Sequence, residues 1–145
     1  MTNYCVDKAI FPNITYGIFG SSILVNRKNL KDLSQHTVII MTDEIIDSSL
    51  IMEFAERILK KGCKNVAFCG TCAEEWKQIF DSVDCEVNGF NKYGEYEDFA
   101  VMWCFDDMEN LPEELSVCWN EVLILCSNLS LLRQCKGIVE EEFCW

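Results

Sequence analysis

The sequence predicts one α/β domain: a small three-layer sandwich with helices on both faces of a mostly parallel sheet of four or five strands, Rossmann-like or flavodoxin-like. The chain has 145 residues, which is about the size of one domain. Half of these residues are hydrophobic and only 7 are glycine and 2 proline, a composition typical of a packed core. From residue 37 onward, short β-branched or aromatic runs alternate with helical periodicity, which is typical of βα units.

The first βα unit supplies the clearest helix. Thr37–Met41 is a β-branched and apolar run that predicts a buried strand. Asp47 or Ser48 is expected to cap the following helix, and Gly62 is expected to end it in a left-handed conformation. The apolar residues between them recur at i, i+3 and i+4 and so form one stripe: Leu50, Ile51, Phe54, Ala55, Ile58 and Leu59.

The second unit begins with a buried strand over Asn65–Cys69, and Gly70 allows a tight turn into the next helix. We expect Thr71 and Glu74 to form a capping box at the start of that helix. The helix carries Trp76, Ile79, Phe80 and Val83, and a loop is expected over 87–98.

Two further strands follow, over 99–105 and 121–126. Pro112 predicts the first turn of a helix between them, and Asn128 is expected to cap a last helix that ends near Gly137. Residues 138–145 are interpreted as an acidic and aromatic tail. Residues 1–36 are less regular, and Ile14–Tyr16 with Ser22–Val25 are expected to add an edge strand or a hairpin.

The first residues and the cysteines of the chain indicate the cellular compartment of the protein. The start of the chain has neither the basic region nor the compact apolar stretch of a signal peptide, and no membrane-spanning segment is predicted. The 10 cysteines are therefore interpreted as reduced thiols of a cytoplasmic protein. Cys104 and Cys126 lie inside apolar runs, where a thiol behaves as a small hydrophobe.

The carboxyl ends of the predicted strands carry most of the polar residues that chemistry could use. Open parallel sheets bind ligands outside these ends. The candidate ligand-binding residues are Thr42, Asp43, Glu44, Gly70, Thr71, Cys72, Asp106, Asp107, Ser127 and Asn128.

A divalent cation is one possible ligand of this crevice. The carboxylates that follow the first and third predicted strands are hard oxygen ligands: Asp43, Glu44, Asp106 and Asp107. Acidic residues at these positions are also favoured by the helix dipole alone, and no lysine follows the fourth predicted strand to hold a phosphoryl group. We therefore predict no resident metal and keep a cation site as an alternative.

Thiol chemistry is the second possibility, because Cys69 and Cys72 have the two-residue spacing of thioredoxin at a strand-to-helix junction. No proline occurs between Pro12 and Pro112, so the substrate-side proline of thioredoxin has no counterpart. A zinc site from Cys63, Cys69 and Cys72 lacks a second cysteine pair. The one histidine, His36, is interpreted as a surface residue or the first residue of a strand.

The known motifs of nucleotide binding and hydrolysis are missing from the sequence. The first βα turn, over 42–47, contains no glycine to bring the backbone against a pyrophosphate. There is no Walker lysine, no Gly-x-Ser-x-Gly turn and no histidine placed to act as a base beside a nucleophile. We therefore predict no catalytic set and no cofactor.

Charge is distributed unevenly along the chain. Residues 1–94 hold 12 acidic and 10 basic side chains, whereas 95–145 hold 12 acidic and 2 basic ones, giving about −2 and −10. Such a field repels nucleic acid and anionic membranes and attracts a basic protein. The predicted interface residues combine these acids with aromatic anchors: Glu113, Glu114, Trp119, Glu121, Glu140, Glu141, Glu142 and Trp145.

The segment Gly62–Trp76, with Asp81–Asp84 after it, resembles a family of bacterial domains of unknown function. The resemblance continues through Phe99–Trp103 and the following Asp106 and Asp107. In all, it spans about residues 37–127. It implies a small cytosolic α/β domain without an assigned activity, and it provides no catalytic residues.

From these observations we expect a non-catalytic interaction or regulatory module, such as an immunity-type or phage-defence-associated protein, that binds a basic protein surface. Self-association is compatible with the sequence. The alternative is a small enzyme or ligand-binding domain that uses the strand-end crevice, with a divalent metal or with Cys72 as a reactive thiol.

Overall fold

The computed structural model describes residues 13–18, 32–42, 47–89, 99–118 and 121–143. Its strands are β1 (Ile14–Ile18), β2 (His36–Met41), β3 (Asn65–Cys69), β4 (Val101–Phe105) and β5 (Glu121–Cys126). Its helices are α1 (Ser48–Lys60), α2 (Ala73–Asn88), α3 (Leu111–Ser116) and α4 (Leu129–Phe143), and a 3-10 turn over Met108–Asn110 precedes α3. No helix within these ranges is both long enough and apolar enough to cross a membrane.

The five strands form one sheet in the order β1-β5-β2-β3-β4, and every pairing is parallel. The predicted α/β sandwich is therefore confirmed. All six residues of the central strand β2 are buried, as expected for a strand covered on both faces.

Alternate residues of each strand point into two separate cores. On one face, Val38, Phe68 and Leu125 pack with α1 and α2 around Trp76 and Phe80. On the other face, Ile39, Ile124 and Cys126 pack with α3 and α4. The side-chain alternation of a strand thus divides the chain into two helical layers, with α1 and α2 in one and α3 and α4 in the other.

The sequence predicted α1 closely. Asp47 is its N-cap and accepts hydrogen bonds from the Ser49 amide at 2.9 Å and from the Ser49 hydroxyl at 2.8 Å. These bonds favour the ionised carboxyl, so they lower the pKa of Asp47. At the other end, Gly62 has a φ of 93°, the left-handed conformation expected for a helix stop.

The sequence predicted the start of α2 incorrectly. Its N-cap is Cys72, which makes no side-chain capping bond, so the expected Thr71 and Glu74 capping box is not formed. Burial and the nearby Glu74 carboxylate of α2 raise the pKa of the Cys104 thiol on β4 to about 11. The packing of α2 on the sheet therefore places the Glu74 side chain near β4. The helix also runs through Asn88, past the predicted start of the loop at residue 87.

The end of α4 also differs from the prediction. α4 continues through Gly137 to Phe143, so 138–143 belong to a helix rather than to a tail. Val139 is buried against the α3 and α4 core, and this contact explains why the helix continues past the glycine. In the first 36 residues, Ile14–Ile18 forms the expected edge strand, and Ser22–Val25 lies outside the described residues.

A buried carboxylate joins the end of α2 to the start of β4. Asp84 is 4% exposed and accepts hydrogen bonds from Asn88 Nδ2 at 2.6 Å and from the Ala100 amide at 3.0 Å. Lys64 Nζ donates to Asn88 Oδ1 at 3.1 Å and so extends the network to β3. The Asp84 carboxylate thus links α2 to the residue before β4 and, through Asn88, to the residue before β3.

Asp84→Ala should destabilise the protein by about 1–2 kcal/mol, because the half-buried Ala100 amide and the Asn88 side-chain amide would lose their acceptor. Urea denaturation measures this loss. Asp81→Ala is the matched control on the same helix: Asp81 is 49% exposed and only pairs with Lys77, so about 0.5 kcal/mol or less is expected. Equal losses in the two variants would contradict the network.

Two glycine substitutions should have opposite effects on stability. Gly70 has a φ of 125°, so Gly70→Ala should destabilise the protein by about 1–2 kcal/mol through backbone strain. Gly137 lies inside α4 with nothing within 4 Å of an added Cβ, so Gly137→Ala should stabilise it by about 0.5–1 kcal/mol. Thermal and urea unfolding of both variants measures the two signs.

Candidate functional site

The sheet contains a topological switch point between β2 and β5. The chain that follows β2 leads to α1 on one face, whereas the chain that follows β5 leads to α4 on the other. These two strands pair side by side from His36 and Glu121 to Met41 and Cys126. Because the connections diverge, a crevice opens at the carboxyl ends of the strands, where parallel sheets bind their ligands.

A cavity of about 580 Å³ occupies this crevice. It extends over the ends of β2, β3 and β4 and under the first two turns of α4. Its lining residues are Met41, Thr42, Cys69, Gly70, Thr71, Asp106, Asp107, Met108, Asn128, Ser130, Leu131 and Gln134.

Most of the predicted strand-end residues are brought together here. Those that line the cavity are Thr42, Gly70, Thr71, Asp106, Asp107 and Asn128. Cys72 packs instead towards the α1 and α2 core, and Ser127 lies outside the cavity lining. Asp43 and Glu44 lie outside the described residues.

Sequence reasoning missed the contribution of α4. Ser130, Leu131 and Gln134 recur at helical spacing, and Gln134 Nε2 lies 3.4 Å from Ser130 Oγ. Helical periodicity could have placed them on one side of α4. It could not show that this side covers the strand ends, because that depends on how α4 packs on the sheet.

Two lining residues also cap the elements that follow them. Asn128 Oδ1 accepts a hydrogen bond from the Leu131 amide at 2.8 Å, which confirms its predicted capping of α4. Asp107 Oδ1 accepts from the Glu109 amide at 3.2 Å at the start of the 3-10 turn. These bonds hold the two polar side chains at the rim of the cavity.

The electrostatics of the cavity are set by Asp106 and Asp107. Both residues are exposed, and they are the charged side chains among the described lining residues. Their carboxylates favour positively charged groups in the crevice. A group of three or more histidine, cysteine, aspartate or glutamate side chains able to hold a metal ion does not occur within the described part of the chain.

Cys69 is a poor nucleophile in this structure. It is 2% exposed, and burial, with the nearby Cys135 and the two aspartates, raises the pKa of its thiol to about 12. A catalytic thiol needs the opposite environment, one that lowers the pKa. The raised pKa of Cys69 therefore argues against a thioredoxin-like role for Cys69 and Cys72.

Cys63 and His36 belong to the other end of the sheet. Cys63 is fully buried before β3, and its thiol donates to the Asn65 carbonyl at 3.3 Å. His36 is the first residue of β2 and is 5% exposed, so it begins a strand, as expected, but is not a surface residue. Cys63 and Cys69 lie before and at the end of the same strand, an arrangement that disfavours a shared zinc site.

The predicted acidic interface is spread over several elements. Glu113 on α3 and Glu140 and Glu141 on α4 are exposed, and Glu121 is half-buried at the start of β5. Glu114 accepts a hydrogen bond from Trp103 Nε1 at 2.8 Å, so it joins α3 to β4 inside the domain. Trp119, Trp145 and the Glu142 side chain lie outside what the structure describes, and the basic partner stays a prediction.

The chain was compared with protein-family models, curated proteins and solved structures. No protein-family model, curated protein or solved structure matches this chain. The resemblance to bacterial domains of unknown function therefore stays an expectation from the sequence.

Alkylation should distinguish the buried Cys69 from the exposed Cys85. At pH 8, a thiol of pKa about 12 is ionised in only about one molecule in ten thousand, so Cys69 should react with iodoacetamide far more slowly than the exposed Cys85. Mass spectrometry of timed digests measures each rate. Labelling of Cys69 as fast as that of Cys85 would contradict the assigned environment.

Proposed function

We propose that this protein is a binding domain for a small polar ligand that carries an amine, and that the ligand occupies the cavity at the carboxyl ends of the strands. The cavity supports this proposal through its position, its volume and its charge. Its volume of about 580 Å³ is within the usual range for pockets that hold metabolite-sized molecules.

An amine is favoured over a carboxylate or phosphate because of the charges of the lining. Asp106 and Asp107 stand at one side of the cavity, and the described lining residues include no lysine or arginine to offset them. A charged amine next to a carboxylate forms a charge-assisted hydrogen bond, whereas an anion at the same place would be repelled. The net charge of −12 adds to the attraction for cations.

The part of the cavity lined by α4 can hold a hydrogen-bonding group of the ligand. Ser130 and Gln134 contribute a hydroxyl and an amide from α4, and Asn128 stands at the beginning of that helix. The amino-terminal end of a helix carries a partial positive charge that favours an electronegative atom. The expected ligand therefore has an amine at one end and an oxygen at the other.

A matched pair of probes tests the charge preference: tyramine and 4-hydroxyphenylacetate, which differ in the charged group. Amide chemical shifts of the full-length protein should move near Gly70, Asp107 and Gln134 with tyramine, and tyramine should bind more tightly than the carboxylate. The preference should weaken at high salt because ions screen exposed charges. Stronger binding of the carboxylate, or shifts confined to another surface, would refute the proposal.

Asp106→Asn and Asp107→Asn should each weaken tyramine binding on the order of fivefold, the loss of about 1 kcal/mol expected for an exposed charge pair. Asparagine preserves shape and can still cap the 3-10 turn at position 107. Glu140→Gln is the matched control, because it removes one negative charge from an exposed position near the far end of α4. An equal loss in this control would assign the effect to net charge rather than to the cavity.

A further inference from the structure

Two buried cysteines face each other directly behind the wall of the cavity. Cys126 is the last residue of β5 and Cys135 lies in α4, and both are 0% exposed. Their sulfur atoms are 4.0 Å apart, with the Cys126 thiol directed at the Cys135 sulfur. The mechanism of ligand binding proposed above uses neither of them.

The pair is connected to the cavity through α4. This helix begins after Asn128, supplies Ser130, Leu131 and Gln134 to the lining, and carries Cys135 as the next residue. A change in the distance between Cys135 and β5 therefore moves the helical turn that forms one wall of the cavity.

We infer that Cys126 and Cys135 form a peroxide-sensitive thiol pair whose disulfide changes the shape of the strand-end cavity. The Cys135 thiol loses its proton, and the resulting thiolate attacks one oxygen of hydrogen peroxide and breaks the O–O bond. A sulfenic acid forms, and the departing hydroxide takes up the released proton and leaves as water. The Cys126 thiol then attacks the sulfenic sulfur, forms the S–S bond and releases a second water. Two thiols and one hydrogen peroxide thus give one disulfide and two waters, and peroxide takes up both electrons.

The order of the two attacks follows from the environments of the two thiols. The S–H donated by Cys126 favours the Cys135 thiolate and lowers its pKa, whereas the same hydrogen bond to Cys135, together with burial, raises the pKa of Cys126. Cys135 is thus the more ionised thiol of the two and reacts first.

Formation of the bond requires a movement of the helix or of its side chain. A disulfide holds its sulfur atoms about 2.05 Å apart, so the present separation of 4.0 Å must shorten by about 2 Å. Because protein cores are closely packed, this displacement is transmitted to neighbouring residues, including Leu131 and Gln134 in the cavity wall.

The test treats the reduced, full-length protein with hydrogen peroxide and then alkylates the remaining thiols. Before alkylation, the oxidised protein should be lighter by about 2 Da and should return to the starting mass with dithiothreitol. After alkylation, its digest should contain a linked peptide joining Cys126 to Cys135. Cys126→Ala and Cys135→Ala should each abolish that peptide, and urea denaturation shows whether each variant is folded. Cys85→Ala, which removes an exposed thiol, should leave it unchanged.

Identification of the disulfide-linked peptides tests the thiol pair independently of ligand binding. A bond between Cys69 and Cys72, a bond to Cys5 or Cys144, or oxidation of Cys135 to sulfinic acid without a linked peptide would each overturn it. The effect on the cavity rests on the proposed function and is measured separately: the oxidised protein should bind tyramine about threefold or more weakly than the reduced protein. A linked peptide without any tyramine binding in the reduced protein would refute the proposed function but not the thiol pair.

Discussion

The parallel pairing of β2 with both of its neighbours is the constraint on which the rest of the structure depends. β2 hydrogen-bonds to β3 along one edge and to β5 along the other, so its six residues are covered on all sides. Parallel strands require a crossover connection for every return. The crossovers through α1 and α2 lie on one face of the sheet, and the crossover through α3 lies on the other face. Both cores therefore follow from the central position of β2. The crevice follows as well, because the connections after β2 and β5 diverge.

The same arrangement explains why polar residues collect at one end of the sheet. All strands end at the same edge, and each is followed by residues that must turn the chain or begin a helix. Asn128 and Asp107 serve those local purposes as caps, yet their side chains also line the cavity. A residue required for folding can therefore also contribute to binding, and its identity alone does not separate the two roles.

Several of the cysteines have become structural residues of the cores. Cys63, Cys69, Cys126 and Cys135 are buried at 0–2% exposure, and burial raises the pKa of Cys63 to about 11 and that of Cys69 to about 12. Protonated thiols pack as small apolar groups. Cys126 and Cys135 differ from the others because their sulfur atoms lie 4.0 Å apart. The disulfide proposed for this pair needs a second thiol, which a single buried cysteine lacks.

The order and type of the elements were determined by the sequence alone. Strand and helix periodicities depend only on local spacing, so β2, β3, β5 and α1 were predicted within one or two residues. Asn128 was correctly predicted as a cap, and Asp47 was one of the two caps predicted for α1. Only the tertiary structure decided that Glu74 lies near Cys104 of β4, that Glu114 accepts a hydrogen bond from Trp103, and that α4 continues past Gly137. It also decided that Ser130 and Gln134 face the strand ends, because packing between layers brings together residues that are distant in the chain.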